Sequence, residues 1–367
     1  MKRLLIINPG STSTKIAVFE DEKEIKREEL VHSQEELKDF SAIMDQVDFR
    51  KEVVKNALDK MGYKITDFDA VVARGGVIPP IKTGAYKVND DMIWQLKNKP
   101  VSNHASNLGA VVGSELVAGT DISVYIYDAV GADEMLPILK MTGLPELKRS
   151  SQGHNLNIRA NAIRYAKEHG KELKDCNLIV AHLGGGASIA LFNNGRIIDI
   201  INDEDGPFTP ERAGALPMVQ LCRLFLDEKI DHEALFKRIR SHGGFLAYYN
   251  TNDARDIEKM IDEGDEKAKE FYSAFAINIA KNIGKLAPVV KGKVDAIILT
   301  GGIARSKSLT AEISDYVSYI APVTVYAGEN EMQSLALGIL RVLNGQEEAH
   351  TFEKVLDFEK DYEKNIR

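Results

Sequence analysis

Two glycine-containing segments between predicted strands carry groups that can bind phosphate. The first, residues 8–15, reads Asn-Pro-Gly-Ser-Thr-Ser-Thr-Lys and sets one glycine beside four hydroxyls and an ammonium group. Backbone amides and hydroxyls together form a concavity that binds anions, and a lysine adds a point charge. The residues expected to make these contacts are Gly10, Ser11, Ser13 and Lys15. A polar tight turn is the competing interpretation, because serine is common in turns.

The second segment, residues 182–188, reads His-Leu-Gly-Gly-Gly-Ala-Ser. Its three successive glycines, Gly184, Gly185 and Gly186, let the backbone approach a phosphate without a Cβ in the way. His182 stands at the start of this segment and is predicted to lie at the same site.

A third glycine site, residues 299–303, follows a strongly apolar strand and precedes a predicted helix. Gly301, Gly302 and Ile303 suit the close approach of an adenine or ribose to the backbone. Neither a Walker A nor a Gly-x-Gly-x-x-Gly pattern fits the chain, so P-loop and dinucleotide-binding interpretations lose their sequence support.

The elements that must position these segments follow an α/β pattern. Short apolar runs bounded by Gly, Asn or Asp alternate with segments of helical period. Strands are predicted at residues 4–7, 15–19 and 24–31, in close succession as in a β-meander. Helices are predicted at residues 53–61, 108–117, 216–226, 233–240 and 267–290.

The second half of the chain repeats the first. Three pairs of segments match in order: residues 8–12 with 182–186, 69–77 with 295–303, and 123–135 with 323–332. Ordered matches of this kind indicate a structural duplication. We expect two related domains, 1–151 and 152–332, with part of a helical tail at about 333–367 belonging to the first. The two phosphate turns are expected to face each other across a cleft and clamp one polyphosphate.

Composition excludes several classes of protein. The 367 residues agree with two domains at about 100–200 residues each. The 47 Lys+Arg and 55 Asp+Glu give a net charge of −8, which opposes nucleic-acid binding. The sequence holds no run of ~18 apolar residues and no secretory signal, so we expect no membrane partner and a cytoplasmic location.

The whole chain resembles the acetokinase family, whose superfamily includes sugar kinases, heat-shock cognate proteins and actin. The motifs that carry the resemblance are residues 8–15, 73–76, 127–128, 152–155, 182–188, 208–212, 250–255, 300–304 and 329–331. The resemblance implies an α/β fold of two duplicated actin-like, ribonuclease H-like domains around a nucleotide cleft.

The resemblance implies a kinase that transfers the γ-phosphoryl group of ATP, with Mg²⁺, to a short-chain carboxylic acid. A carboxylate is already ionised at pH 7, so the reaction needs no general base. Arg74 and Arg212 match the pair that holds the acceptor carboxylate and the phosphoryl group in flight. A surface ion pair is the competing interpretation for each arginine.

Further roles also rest on the resemblance. His154 is expected to donate a hydrogen bond to the phosphoryl group, and a surface histidine is the alternative. Asp128 and Glu331 are expected to reach one Mg²⁺ from opposite domains, since they end equivalent strands. The remaining nucleotide contacts are expected at Asn8 and Lys15 on the phosphates and at Asp253 and Arg255 beside the adenosine.

Departures from acetate kinase at Gly75, Gly76 and Gly153 point to the acceptor. Acetate kinase has larger residues there, so these glycines are expected to widen the acyl pocket. Each extra buried methylene contributes about 0.8 kcal/mol, which would favour butyrate over acetate. Acetate, propionate and branched-chain acids remain alternative acceptors.

More distant alternatives are a sugar kinase, which needs an aspartate base, and an ATP-gated scaffold, for which the chain is short. A homodimer or higher homo-oligomer is also expected. The long apolar-faced helix at residues 267–290 is its predicted surface.

Overall fold

The computed structural model describes residues 1–356, and these form two compact units. Of these residues, unit 1 contains 1–133, 141–149 and 330–356. Unit 2 contains residues 134–140 and 150–329.

Unit 1 is built on a six-stranded mixed sheet with the order β3-β2-β1-β4-β6-β5. Its strands are β1 (Arg3–Pro9), β2 (Ser13–Glu20), β3 (Lys23–Val31), β4 (Ala70–Arg74), β5 (Ala85–Lys87) and β6 (Ser123–Tyr127). Residues Leu4–Ile7 are fully buried because helices cover both faces of β1. The charged strand β3 forms the edge, where charged side chains oppose pairing with another chain.

The helices of unit 1 are α1 (Gln34–Leu37), α2 (Val47–Met61), α3 (Asp90–Asn98), α4 (Leu108–Leu116) and α12 (Glu331–Leu343). Helix α2 ends, as predicted, at Gly62, whose φ of 85° closes a left-handed C-cap. Helix α12 packs against β1, β4 and β6, although it follows unit 2 in the sequence.

Unit 2 has a five-stranded sheet with the order β11-β10-β7-β8-β9. Its strands are β7 (Leu178–Leu183), β8 (Ala187–Asn193), β9 (Arg196–Ile201), β10 (Ala296–Gly301) and β11 (Val323–Ala327). Read from the other edge, this order matches β3-β2-β1-β4-β6 of unit 1, with the same antiparallel and parallel pairings. The two sheets therefore have the duplicated topology that the ordered sequence matches predicted.

The helices of unit 2 are α5 (Asn155–Glu168), α6 (Met218–Glu228), α7 (His232–Arg240), α8 (Gly244–Tyr249), α9 (Ala254–Asp262), α10 (Glu266–Leu286) and α11 (Lys307–Val317). The long helix α10 lies in the core, where Phe275, Ile279 and Ile283 are buried. Its apolar face is thus covered within its own unit, and our expectation that it forms a self-association surface was wrong.

The unit boundaries differ from the expected ones at three places. Residues 150 and 151 lie in unit 2. Residues 134–140 lie in unit 2, because the Leu136 amide donates to Ile198 O. Residues 330–332 lie in unit 1, at the start of α12. Glu331 therefore belongs to the same unit as Asp128, not to the opposite domain as we had expected.

Residues 346–356, after α12, do not form the helix that we had predicted. They are irregular and lie against unit 1, where Phe352 is buried. Asn89 Nδ2 donates to Phe352 O, and the Val355 amide donates to Gln95 Oε1. Residues 357–367 of the predicted tail lie outside the described residues. Within residues 1–356, no helix is both long and apolar enough to cross a membrane.

Gly301 and Gly302 provide a matched test of the β10 end. Gly301 has a φ of 92°, and a Cβ there would overlap the Leu183 carbonyl, whereas a Cβ on Gly302 would meet no atom within 4 Å. We expect Gly301→Ala to lower the free energy of unfolding by about 2 kcal/mol or more, through left-handed strain and overpacking. Gly302→Ala is expected to change it by less than about 0.5 kcal/mol. Urea denaturation measures both, and equal losses would contradict this account of Gly301.

Candidate active site

The first glycine-containing turn, residues 10–13, joins β1 to β2. The Gly10 amide donates to Ser13 O at 2.8 Å, and Ser11 is exposed at the tip. Asn8 and Lys15 are directly opposite each other in the strand pair, so their side chains share one face of the sheet. Lys15 Nζ lies 3.7 Å from Glu29 Oε1, an exposed pair that leaves the ammonium group able to reach other anions.

Two of the predicted residues, Asn8 and Arg74, contact a third, Glu331, which is the first residue of α12. Asn8 Nδ2 donates to Glu331 Oε2 at 2.8 Å, and Arg74 Nη1 donates to Glu331 Oε1 at 2.5 Å. Arg74 reaches this position because β4 ends there, beside β1. The carboxylate thus holds one edge of the guanidinium and leaves most of its N–H donors for an anion.

His104 is a neighbour of Arg74 that the sequence analysis missed. Its Nδ1 lies 2.8 Å from Ser106 Oγ, and its side chain caps the short 3₁₀ turn before α4. Burial of the ring and then the charge of Arg74 lower the pKa of His104. The ring therefore favours its neutral form beside a cation.

Asp128 lies immediately after β6 and is 4% exposed. Its Oδ1 accepts from the Gly84 amide at 2.7 Å, and its own amide donates to Gly84 O at 3.1 Å. Its φ of 43° is left-handed, a conformation that aspartate tolerates better than most residues. The carboxylate is thus fixed by the turn at Gly84.

The second glycine-containing turn, residues 184–186, joins β7 to β8 in unit 2. The Gly184 amide donates to Gly186 O at 2.9 Å, and Thr209 Oγ1 donates to Gly185 O at 2.6 Å. A Cβ on Gly186 would collide with the guanidinium of Arg212 and with Asp203. Glycine at position 186 is therefore what lets Arg212 lie against the turn.

Arg212 forms an ion pair with Asp203, a residue that the sequence analysis did not single out. Asp203 Oδ1 also accepts from the Ala187 amide at 3.0 Å, which ties the carboxylate to the start of β8. Burial and then the charge of Arg240 lower the pKa of Arg212, from a starting value so high that the side chain stays charged.

The two predicted histidines stack on each other. The rings of His154 and His182 are 4.0 Å apart at their centroids and 12° from parallel. His154 Nδ1 lies 2.9 Å from Ser188 Oγ, while His182 Nδ1 lies 2.9 Å from Asn157 Oδ1. His182 Nε2 lies 3.2 Å from Glu329 Oε1. Both rings are thus held in one orientation.

The third glycine site closes the ends of β10 and β11. The Gly328 amide donates to Gly301 O at 2.8 Å, and Ile303 begins a 3₁₀ turn directly after Gly302.

Elsewhere in unit 2, Asp253 caps α9 and its carboxylate also accepts from the exposed side chain of Arg255. The structure thus gives Asp253 and Arg255 a local partner in each other.

Gly75, Gly76 and Gly153 do not open space in the way that we had expected. A Cβ on Gly75 would lie 2.6 Å from the Ala129 Cβ, and one on Gly76 would lie 2.6 Å from Leu96 Cδ2. At Gly153 the nearest atom would be Ile200 Cδ1 at 2.5 Å. Neighbouring side chains fill the volume that a larger residue would occupy, so these glycines serve close packing.

Two groupings of predicted residues follow. Unit 1 brings together Asn8, Arg74 and Glu331, and unit 2 brings together His154, His182, Arg212 and the turn at residues 184–186. Guanidinium groups held in place and backbone amides of turns are groups that bind phosphate and carboxylate. Among residues 1–356 there is no cluster of three or more His, Cys, Asp or Glu side chains that could hold a metal ion.

Duplicated sheets with glycine-containing turns at equivalent hairpins define a fold of the actin-like class. Two solved structures share this fold. The acetate kinase of Porphyromonas gingivalis has a TM-score of 0.78 and 19% identity, and the match covers 94% of this chain and all of that one. A propionate kinase of Francisella tularensis has a TM-score of 0.73 and 17% identity, and the match covers 92% of this chain and 99% of that one. At these identities the likeness establishes the fold.

The sequence comparisons establish the family. The model of the acetokinase family matches residues 159–319. The chain is 49% identical to butyrate kinase 2 of Clostridium acetobutylicum over 95% of its length and 99% of the relative, and 46% identical to a probable butyrate kinase 2 of Caldanaerobacter subterraneus over 95% and 98%. This chain belongs to the acetokinase family.

The proximity of His104 to Arg74 can be measured directly. Since the Arg74 charge lowers the pKa of His104, Arg74→Gln should raise that pKa towards its ordinary value of about 6.5. A titration followed by NMR, with the resonance assigned through His104→Gln, measures the shift. Arg3→Gln, a change to a cation paired with Glu20, is the control and should leave it unchanged. An unaltered pKa in Arg74→Gln would show that the two side chains do not interact.

Proposed function

We propose that the protein is a butyrate kinase, which transfers the γ-phosphoryl group of ATP to the carboxylate of butyrate in a reversible reaction. The observation that carries this proposal is the 49% identity to a relative named butyrate kinase over nearly the full length of both chains. Acetate, propionate and branched-chain acids are the alternative acceptors, and a sugar kinase is a more distant alternative.

The chemistry asks for positioning and charge stabilisation. The transferred phosphoryl group spreads its negative charge over three oxygens while the attacking and leaving oxygens lie in line. We assign Arg74 and Arg212 to the acceptor carboxylate and to that group, because each is held by a carboxylate and keeps donors available. His154 is assigned a hydrogen bond to the phosphoryl oxygens, and Ser188 fixes its ring.

Nucleotide contacts are assigned to both units. In unit 1 they are Asn8, Lys15 and the turn at residues 10–13, and in unit 2 they are the turn at residues 184–186, His182, Asp253, Arg255 and residues 301–303. The amides and cations of these segments support binding of a polyphosphate. ATP as the donor also supports a cytoplasmic location.

Magnesium fits the residues of unit 1. Asp128 and Glu331 offer carboxylate oxygens, and Mg²⁺ uses one or two carboxylates together with phosphate oxygens. When bound, the ion neutralises charge on the phosphates. The hydrogen bonds of both carboxylates, from the Gly84 amide and from Asn8 and Arg74, keep them oriented for that role.

We also propose a homodimer or a higher homo-oligomer. Exposed apolar side chains on α6 and α7, among them Met218, Leu226 and Phe236, support self-association through unit 2. We propose these side chains as the self-association surface in place of the apolar face of α10, which is buried.

The reaction is tested by trapping acyl phosphate as a hydroxamate, with ATP, Mg²⁺ and a panel of acids. We expect a kcat/KM for butyrate about tenfold to a few hundredfold above that for acetate, the range that two methylenes provide in an apolar pocket. Propionate, isobutyrate and valerate complete the panel. ADP formation with glucose, followed by a coupled assay because a sugar phosphate forms no hydroxamate, tests the sugar-kinase alternative. Absence of acyl phosphate with every acid would refute the proposal, and a preference for acetate would overturn butyrate as the acceptor.

The role of Arg212 is tested by a pair of glycines in one turn. A Cβ on Gly186 would displace the tip of Arg212, whereas one on Gly185 would make only ordinary contact with Glu211 at 3.7 Å. Because the tip of an arginine moves easily, Gly186→Ala should cost less than about 1 kcal/mol in stability.

The kcat of Gly186→Ala should nevertheless fall by about tenfold to a thousandfold, because one preorganised donor is misplaced. Gly185→Ala is the control: it leaves Arg212 in place, so stability and kcat should be retained, and any effect should fall on the KM for ATP, to which this turn is assigned. The hydroxamate assay and a thermal melt measure the two quantities. Wild-type kcat in Gly186→Ala would remove Arg212 from the reaction.

A further inference from the structure

The strongest unexplained feature is a buried arginine behind the first phosphate turn. Arg50, on α2, is 1% exposed and lies under the turn at residues 10–13. Its Nη1 donates to Gly10 O at 2.8 Å and to Ser13 O at 2.9 Å, and its Nη2 donates to Ser11 O at 3.0 Å. The remaining bonds of the guanidinium go to Thr14 Oγ1 and Gln46 Oε1.

These bonds account for the carbonyl groups of the turn. Gly10 O, Ser11 O and Ser13 O accept from Arg50, and Thr12 O accepts from the His32 amide at 2.8 Å. The amides of Ser11 and Thr12 donate to no other described residue, and both residues are exposed. The turn therefore has its acceptors satisfied from inside and two N–H donors available to solvent.

The charge of Arg50 has no acidic partner among residues 1–356. Its hydrogen bonds all go to neutral oxygens, and no described carboxylate lies within ion-pair distance. Burial lowers the pKa of Arg50 to about 10, so the side chain is still charged at pH 7. A buried cation without a counterion is costly, so an anion bound near it would be strongly attracted.

An anion bound on the solvent side of the turn at residues 10–13 would be attracted by the charge of Arg50. Arg50 approaches from the face of Thr14, while Asn8 and Lys15 project from the other face, since neighbouring side chains of a strand alternate. The backbone of residues 10–13 lies between the guanidinium and solvent. Arg50 can thus act on a phosphate without contacting it.

We propose that Arg50 is a positioning residue for the triphosphate: by binding the turn carbonyls from inside, it presents the Ser11 and Thr12 amides outward and adds a positive charge behind them. This inference rests on the proposed use of ATP, and it deepens that function by naming what makes the first turn an anion site. A purely structural role, in which Arg50 only fastens α2 to the hairpin, is the alternative that the test must separate.

The test is a set of calorimetric titrations with ATP, adenosine and inorganic tripolyphosphate. Arg50→Met removes the charge and the donors, so we expect the Kd values of ATP and tripolyphosphate to rise by about tenfold or more, equivalent to 1.4 kcal/mol. Adenosine carries no phosphate, so its Kd should stay within about twofold. Arg50→Lys keeps the charge and should recover part of the phosphate affinity.

Gln95→Met is the matched control. Gln95 is also buried in unit 1 and ties backbone groups together, through bonds with Lys99 O and the Val355 amide. It should lose thermal stability as Arg50→Met does while keeping the wild-type Kd for all three ligands. Titrations are made at temperatures well below the melting point of every variant.

The outcomes separate cleanly. Unchanged Kd values for ATP and tripolyphosphate in Arg50→Met, or an equal loss for adenosine, would overturn the proposal. If Arg50→Met does not fold, Arg50→Lys decides: it reaches fewer carbonyls and should bind ATP about threefold or more weakly than wild type with adenosine unaffected, and wild-type ATP affinity would overturn the proposal. Failure of wild-type protein to form acyl phosphate would refute the kinase function alone, because the phosphate titrations do not depend on the acceptor.

Discussion

A turn that offers its amides to an anion must find donors for its own carbonyl groups. Backbone N–H and C=O groups are equal in number, and a carbonyl left facing the anion would repel it. Under the proposed function, Arg50 and the His32 amide supply these donors in unit 1. In unit 2 the hydroxyl of Thr209, which is 1% exposed, donates to Gly185 O. Thr209 Oγ1 also accepts from the Arg212 amide, so one hydroxyl fixes both the turn and the arginine beside it. The rest of each site is arranged around these fixed turns.

The glycines follow from the same requirement of close approach. Gly301 is needed because the backbone is left-handed and lies against the Leu183 carbonyl, and Gly186 is needed because Arg212 occupies the place of a side chain. Gly10 has neither constraint, since a Cβ there would make only ordinary contacts with Ser13. A glycine in a motif thus does not by itself imply empty space. At Gly76 and Gly153 neighbouring side chains fill the space, so the acyl pocket is not widened there as we had expected.

The strands and their duplication could be predicted from the sequence, whereas several contacts around the candidate site could not. Apolar runs and ordered internal matches led to the correct strands β1 to β3 and to the duplication of the sheet topology. Helix α5, directly after His154, was missed because its polar asparagines and arginines mask the helical period. Arg50, Asp203 and His104 were missed because nothing in their local sequence distinguishes them from surface residues, and their roles arise from segments far away in the chain. The placement of Glu331 in unit 1 likewise depends on α12 packing against β1, which no local pattern encodes.

The carboxylates beside the two arginines give the site a further property under the proposed function. Glu331 and Asp203 fix Arg74 and Arg212 in orientation, but each also offsets part of the positive charge that would bind an anion in the ground state. Tight binding of substrate and transition state alike would lower KM without raising kcat. An arginine that is already held in place loses little freedom when charge develops on the phosphoryl group, so its donors act mainly at that stage. The pairing therefore trades affinity for preorganisation, and in a reversible transfer it also keeps an anionic product from being held too tightly to leave.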